Sequence, residues 1–158
     1  MFVEDFVDVA LPLAAVRGSF TGDDAWLAPL ANTAADDGET LRLRVGPRGP
    51  GRGLTREVRV RLGPARQRGD AVVVPLAWEA TEHSALFPAL NGDLELAPLG
   101  PDVCRLTLSA SYAPPFGDLG RALDTALLHH LAQSTVRSFL SQVASTLEGQ
   151  LDPALRAR

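Results

Sequence analysis

Two adjacent histidines, His129 and His130, are the residues of this chain that are best suited to acid–base chemistry or metal binding. Neighbouring positions on a helix point about 100° apart, so the two imidazoles do not both face one cavity. A metal site also needs a third ligand at a fixed spacing, and neither His83 nor Cys104 completes a recognisable motif with them. The sequence therefore predicts no metal and no cofactor.

Proton transfer by one of these histidines stays open at the level of sequence. His130 shares a side of the predicted helix with Leu123 and Leu127, and Asp124 lies close enough along the helix for a histidine–carboxylate pair. A partly buried histidine with a structural role is the favoured alternative. No catalytic group is assigned on this basis.

The sequence contains no recognisable nucleophile or phosphate-binding loop. None of its serines stands in a Gly-x-Ser-x-Gly elbow, and Cys104 has only Arg105 as a basic neighbour. The segment Gly46–Gly53 is rich in glycine, but no helix is predicted after it and Pro50 lacks the backbone N–H that a phosphate cradle uses. A P-loop or dinucleotide site is therefore excluded.

Charge is unevenly distributed along the chain. Residues 42–68 contain nine arginines and one acid, while residues 1–39 contain eight acids and one arginine. One interpretation is an anionic partner or headgroup held by Arg44, Arg59 or Arg61. The favoured alternative is a solvated outer strand face whose charges discourage edge-to-edge aggregation, because no aromatic residues interleave with the arginines as nucleic-acid binding would need.

Length and composition bound the class of protein. A chain of 158 residues with 46% hydrophobic residues is sized for one domain with one substantial core. The net charge of −4 gives no general preference for nucleic acid or anionic membrane. The single cysteine excludes an intramolecular disulfide, and the acidic N-terminus and short apolar runs predict neither a secretory signal nor membrane insertion. We expect a cytoplasmic protein.

The periodicity of the apolar residues predicts an α+β fold. A first strand covers Phe2–Leu11, two short helices follow over Leu13–Phe20 and Asp23–Asn32, and a polar loop covers Asn32–Thr40. Period-two alternation then predicts the rest of an antiparallel sheet of about six or seven strands. These further strands cover Leu41–Val45, Val58–Leu62, Ala71–Thr81, Leu90–Pro98 and Val103–Tyr112.

A long C-terminal helix is predicted because apolar residues recur every four positions over Leu119–Leu147. A second apolar row beside the first makes the apolar face broad enough to be enclosed by a curved sheet. Gly149 and Pro153 are typical of a helix end. The sequence therefore predicts one domain over residues 1–148 and a short tail over residues 149–158.

This order of elements, and one passage near its end, resemble a known superfamily. The passage comprises Gly92–Leu96, a turn at Pro98–Pro101, the strand segment Leu106–Ser109 and Tyr112–Pro115 before the long helix. It is similar to the strand-turn-strand-helix end of small bacterial proteins of the START-like, or SRPBCC, superfamily, which includes polyketide cyclases and lipid carriers. The resemblance covers nearly the whole chain and implies the helix-grip fold, in which a curled antiparallel sheet and a long C-terminal helix enclose a cavity for an apolar ligand.

Three functions stay open within that fold. The first is binding or carriage of a small hydrophobic molecule, lipid-like or polyketide-like, in the cavity. The second is an enzyme resembling cyclases, aromatases or dehydratases, in which His130 or Tyr112 moves a proton. The third is a packed core, with the protein acting through its surface, for instance as a homodimer. The residues expected to bound the cavity are Leu76, Trp78, Leu94, Leu108, Tyr112, Leu123, Leu127 and His130.

Overall fold

An antiparallel sheet and two helices make up the part of the chain that the computed structural model describes, which is residues 1–21, 31–34, 40–45, 56–81, 89–113 and 125–156. The elements of this part are numbered in chain order. They are β1 (Phe2–Val9), α1 (Leu13–Thr21), β2 (Ala31–Ala34), β3 (Thr40–Val45), β4 (Arg56–Leu62), β5 (Arg66–Arg68), β6 (Ala71–Ala80), β7 (Ala89–Pro98), β8 (Cys104–Ala113) and α2 (Thr125–Arg156).

The strands form one sheet in the order β1-β8-β7-β6-β4-β3-β2, and β5 pairs with β6 beside that path. Every pairing between the described strands is antiparallel. Helix α2 packs against β1 and β8 at one end of the sheet and touches β3 near the other end. A sheet that meets one helix near both of its ends must curl around that helix, so the α+β architecture predicted from the sequence is confirmed.

Alternation along each long strand separates an inner face, which is turned toward α2, from an outer face. On β8, for example, Leu106 and Leu108 are buried while Thr107 between them is partly exposed. Burying one such apolar side chain contributes about 1.5–3 kcal/mol, so the alternation fixes which face of each strand turns inward. The core combines these inner-face side chains with one side of α2 and with Val16 and Phe20 of α1.

The close approach of β7 and β8 depends on Gly92. A Cβ atom at this position would lie 2.2 Å from the carbonyl oxygen of Ser109 and 2.5 Å from the Cα atom of Ala110. Because both of these are backbone atoms, a change of side-chain rotamer does not relieve the overlap. Glycine is therefore required where the two strands meet at the centre of the inner face.

Two short strands form where the sequence predicted none. Strand β2 overlaps the predicted loop Asn32–Thr40 and pairs with β3 through an irregularity in register between Ala31 and Thr33. Strand β5 pairs with β6 although its three side chains are all polar and exposed. Backbone hydrogen bonds to a neighbouring strand hold such segments, and side-chain patterns do not reveal them. Residues 23–30 of the predicted second short helix, Asp23–Asn32, lie outside the described residues, and its last two residues belong to β2.

Helix α2 extends further than the sequence predicted. It continues through Gly149 and Pro153 to Arg156, across the predicted domain end at residue 148. A glycine costs about 1 kcal/mol in a helix interior, which the buried Leu147 in the preceding turn offsets. The proline falls in the last turn, so the one backbone hydrogen bond that it cannot donate lies close to the end of the helix. The predicted start of the helix lies outside the described residues.

Candidate functional site

Helix α2 lies closer to one side of the sheet than to its centre. Its backbone runs along β1 and β8, whereas β6 and β7 stand further away. Large side chains bridge that distance: the ring of Trp78 on β6 meets the ring of Phe139 on α2 edge to face, with 5.4 Å between the ring centroids and 71° between the ring planes. The space between the centre of the sheet and α2 is therefore spanned by side chains and not by close backbone packing.

Neighbouring rows of side chains cross the inner face of the sheet. One row contains large buried residues from four adjacent strands, namely Tyr112, Leu90, Trp78 and Val60. The next row along the strands contains Ala110, Gly92 and Leu76. Because alanine and glycine have the smallest side chains, the part of this row beside Tyr112 and Leu90 has a low side-chain volume. We call the row of Ala110, Gly92 and Leu76 the small-residue row.

Five of the residues predicted to bound a cavity lie on this inner face and are buried: Leu76, Trp78, Leu94, Leu108 and Tyr112. Leu76 belongs to the small-residue row, and the other four flank it. Tyr112 and Trp78 stand on one side of it, while Leu108 and Leu94 form the row on its other side. Leu127 belongs to α2, but its side chain is not among those described, and Leu123 lies outside the described residues.

Tyr112 forms a polar contact with α2 at the end of the sheet. Its hydroxyl oxygen lies 3.3 Å from Nδ1 of His129, and the two rings are 6.4 Å apart between centroids. Burial raises the pKa of Tyr112 above its usual value, so the phenol is protonated at neutral pH. The hydroxyl donates to Nδ1 when the imidazole carries its proton on Nε2. This contact links a phenol and an imidazole at the border of the core.

Two other polar atoms on the inner side have no hydrogen-bond partner among the described residues. They are Nε1 of Trp78 and Oγ1 of Thr135, and each residue is only 3% exposed. Both lie next to Phe139, because its ring packs on Trp78 and because Thr135 precedes it by one turn of α2. Most buried polar groups in proteins are hydrogen-bonded, so each exception needs an explanation.

His130 points away from this region. It is exposed, and it lines a groove of about 340 Å³ between β1 and α2. His129, and not His130, approaches Tyr112. The 100° separation of the two imidazoles predicted that only one of them faces inward, but the choice depends on the rotation of α2 about its axis. Thr135 was missed as well, although a hydroxyl inside an apolar row of the helix was a signal that could have found it.

The groove that contains His130 is built around a partnered carboxylate. Nε and Nη2 of Arg137 donate to the two carboxylate oxygens of Asp5 at 2.8 and 3.0 Å, and the backbone N–H of Phe6 donates to Oδ1 at 2.9 Å. The hydrogen bond from Arg137 holds the pKa of Asp5 below its usual value, against the opposing effect of desolvation. Glu4, Gln133 and Ser134 complete the lining. This groove joins the edge strand to the helix through satisfied polar groups.

The arginine-rich strands form ion pairs across the outer face of the sheet. Arg61 lies 3.5 Å from Glu79, Arg66 lies 3.4 Å from Asp93, and Arg68 pairs with Glu95. The acids come from β6 and β7. Exposed pairs of this kind contribute little to stability, and they agree with the interpretation as a solvated, charged strand face.

Two negative observations concern the described residues only. They contain no group of three or more His, Cys, Asp or Glu side chains that could hold a metal ion. None of the helices described is both long enough and apolar enough to cross a membrane.

Comparison with known proteins gives a likeness at the level of the fold. No family model matches the sequence. No curated protein matches it either. Solved structures do match, over nearly the whole chain. The Zhui aromatase/cyclase from Streptomyces sp. R1128 has a TM-score of 0.58 at 20% identity, covering 99% of this chain and 96% of its own.

Two further structures have the same arrangement. A point mutant of norcoclaurine synthase from Thalictrum flavum, in complex with a transition-state analogue, has a TM-score of 0.53 at 14% identity, covering 95% of each chain. A START superfamily protein from Mycobacterium smegmatis has a TM-score of 0.50 at 17% identity, covering 97% of this chain and 98% of its own. The chain therefore has the START-like helix-grip fold, as its resemblance to the SRPBCC superfamily implied.

Proposed function

We propose that the protein binds a small, mostly apolar molecule between the inner face of the sheet and α2. The observation that carries this proposal is the small-residue row, where Ala110 and Gly92 lie side by side between rows of large apolar side chains. Apolar surface drives such binding, at roughly 25 cal/mol for each Å² removed from water. The solved structures with this fold include an aromatase/cyclase and a norcoclaurine synthase in complex with a transition-state analogue, which agrees with a small-molecule ligand.

The proposed contacts are the inner-face residues that border the small-residue row. Trp78 and Tyr112 supply ring surfaces on one side, and Leu94 and Leu108 supply aliphatic surface on the other. His129 takes the place that the sequence assigned to His130, because it is the histidine beside Tyr112. The ligand is expected to be mostly apolar because every one of these side chains except His129 is buried in the core.

The first test is native mass spectrometry of the purified protein, followed by organic extraction of any molecule that co-purifies. The comparison variant is Ala110→Leu, which adds three carbon atoms to the small-residue row. If the row borders an open cavity, the added atoms occupy it, the protein keeps its stability and the ligand is lost. If the core is already full, the same change costs about 1–3 kcal/mol through overpacking.

The matched control is Ala97→Leu. Ala97 faces the outer side of the same sheet, beside Arg105, so the same three atoms are added away from the proposed cavity. We expect this variant to bind as the wild-type protein does. An apo mass for the wild type, together with a destabilised Ala110→Leu variant, would replace the carrier proposal with a packed-core protein that acts through its surface.

The contact between Tyr112 and His129 favours an enzyme as the second candidate. A phenol and an imidazole 3.3 Å apart can pass a proton to or from a bound ketone during cyclisation or dehydration. The test is turnover of a poly-β-ketone by the wild type, by Tyr112→Phe and by His129→Gln. General acid–base catalysis typically contributes about 10²–10⁴-fold, so both variants should lose rate on that scale while ligand affinity changes little.

A further inference from the structure

We propose that the ligand carries a neutral oxygen acceptor, such as a ketone, that receives a hydrogen bond from Nε1–H of Trp78 and contacts the hydroxyl of Thr135. This inference rests on the proposed function and adds to it the kind of polar group that the ligand carries. The observation behind it is that these two buried polar atoms have no partner among the described residues. An indole N–H is a donor only, so the group that satisfies it must be an acceptor.

Other polar side chains in the same region have found partners within the protein. The hydroxyl of Tyr112 meets His129, and the hydroxyl of the buried Ser138 accepts a hydrogen bond from Nε2 of Gln142 at 3.2 Å. Trp78 is the exception on the inner face, and buried Trp N–H groups usually have a partner. An acceptor supplied by the ligand explains why this donor stays buried and unpaired.

The two unpaired groups approach the interior from opposite walls. Trp78 belongs to the sheet and Thr135 to α2, and Phe139 lies beside both of them. The proposed acceptor lies between sheet and helix, on which these two groups are found. The hydroxyl of Thr135 accepts as well as donates, so a second oxygen or a hydroxyl on the ligand also suits it.

The charge of the surroundings argues for a neutral group. The only buried charged side chain among the described residues is Asp5, which is already bound by Arg137. The buried described residues beside Trp78 on the inner face include no cation that would compensate the desolvation of a carboxylate or phosphate, and burial of an unpaired charge is strongly unfavourable. A carbonyl oxygen needs only the donor that Trp78 already presents.

The test uses two probes of nearly equal size, 2-acetonaphthone and 2-ethylnaphthalene, of which only the first carries a ketone oxygen. Affinities are measured by isothermal titration calorimetry. We expect the wild type to bind the ketone about fivefold more tightly, the effect of one hydrogen bond with a net value near the middle of the usual range. The preference should vanish in Trp78→Phe and shrink in Thr135→Val, while Ala97→Leu keeps it.

A second measurement is made on the wild-type protein, and a variant serves only to assign its signals. In protein labelled with ¹⁵N-tryptophan, the Nε1–H resonance of Trp78 should move downfield on addition of 2-acetonaphthone and stay nearly unchanged with 2-ethylnaphthalene. The variant Trp26→Phe identifies which of the two indole signals belongs to Trp78.

The outcomes separate this inference from the proposed function. Equal affinity of the wild type for both probes, with no shift of the indole signal, overturns the acceptor assignment and leaves an apolar pocket. A preference that survives in Trp78→Phe overturns the role of Trp78. Failure of the wild type to bind either probe overturns the proposed function for ligands of this size, and the acceptor assignment with it.

Discussion

Two regions on either side of α2 differ in whether their buried polar groups have hydrogen-bond partners. In the groove at the edge strand, the carboxylate of Asp5 is bound by Arg137 and by the backbone N–H of Phe6. Between the inner face of the sheet and α2, Nε1 of Trp78 and the hydroxyl of Thr135 are also buried but have no partner among the described residues. Net stabilisation by a satisfied hydrogen bond is modest, whereas leaving a buried group unpaired costs about 1–3 kcal/mol.

The difference agrees with the proposal that the groove serves the fold and that the inner face serves a ligand. Polar groups that stabilise a protein are expected to be satisfied within it, as Asp5 is. Polar groups that bind something else stay unsatisfied until that molecule arrives, and the fold tolerates their cost because surrounding apolar burial outweighs it. Four substitutions test this contrast.

The largest effect is expected from Phe139→Ala. This ring is 2% exposed and packs edge to face on Trp78, so its removal takes away the apolar contact between the centre of the sheet and α2. We expect the free energy of unfolding in urea to fall by about 3–5 kcal/mol. Phe139→Leu keeps most of the volume and should lose less than half as much. A loss below about 1 kcal/mol for the alanine variant would contradict the proposed importance of this contact.

A smaller loss, about 1–2 kcal/mol at pH 7, is expected from Asp5→Asn, because hydrogen bonds to a charged group are lost. The pKa of Asp5 is lowered in the folded protein, so its contribution is fully present above the unfolded-state value of 3.8 and is lost as pH falls through the lower folded-state pKa. The stabilities of wild type and variant should therefore converge in strong acid. Denaturation curves of both proteins, measured between about pH 2 and pH 7, cover the range in which carboxylates titrate and check this prediction. A difference in stability that does not change with pH would show that the charge of Asp5 is not its cause.

The opposite sign is expected for Thr135→Val on the inner face. Valine has the same shape but carries no hydroxyl, so the variant no longer buries an unpaired polar group. We expect the ligand-free protein to gain about 1 kcal/mol in thermal and chemical denaturation. Asp5→Asn serves as the counterpart, since it removes a satisfied group. A clear loss of stability in Thr135→Val would show that its hydroxyl has a structural partner after all.

The smallest effect is expected on the outer face, at Arg105. Its guanidinium pairs with Asp8 at 2.7 Å and lies 4.1 Å from the ring centroid of Phe6, but the groups are exposed to solvent. Water and salt screen such contacts. Arg105→Gln should leave the urea midpoint within experimental error. A loss as large as that of Asp5→Asn would mean that the outer face also relies on specific ion pairs.

The architecture was predictable because it rests on side-chain periodicity. Alternation at Leu106, Leu108 and Ala110 gave β8 its inner face, and the four-residue spacing that includes Phe139 and Val143 gave α2 its buried side. Strand β5 escaped prediction because it is held by backbone pairing and its side chains are polar. Five of the eight predicted cavity residues lie together on the inner face because the same alternation along the strands turns them inward. Their role in binding stays a prediction.

What the amino-acid sequence determined by itself was therefore the class of each long element and which of its residues turn inward, since burial of apolar surface acts locally along a strand or helix. Only the tertiary structure decided which of two adjacent histidines meets Tyr112 and which joins the groove, because that depends on the rotation of α2 against the sheet. It alone also placed Ala110 beside Gly92 and left Trp78 without an acceptor among the described residues, because cross-strand register and hydrogen-bond satisfaction are properties of the assembled fold.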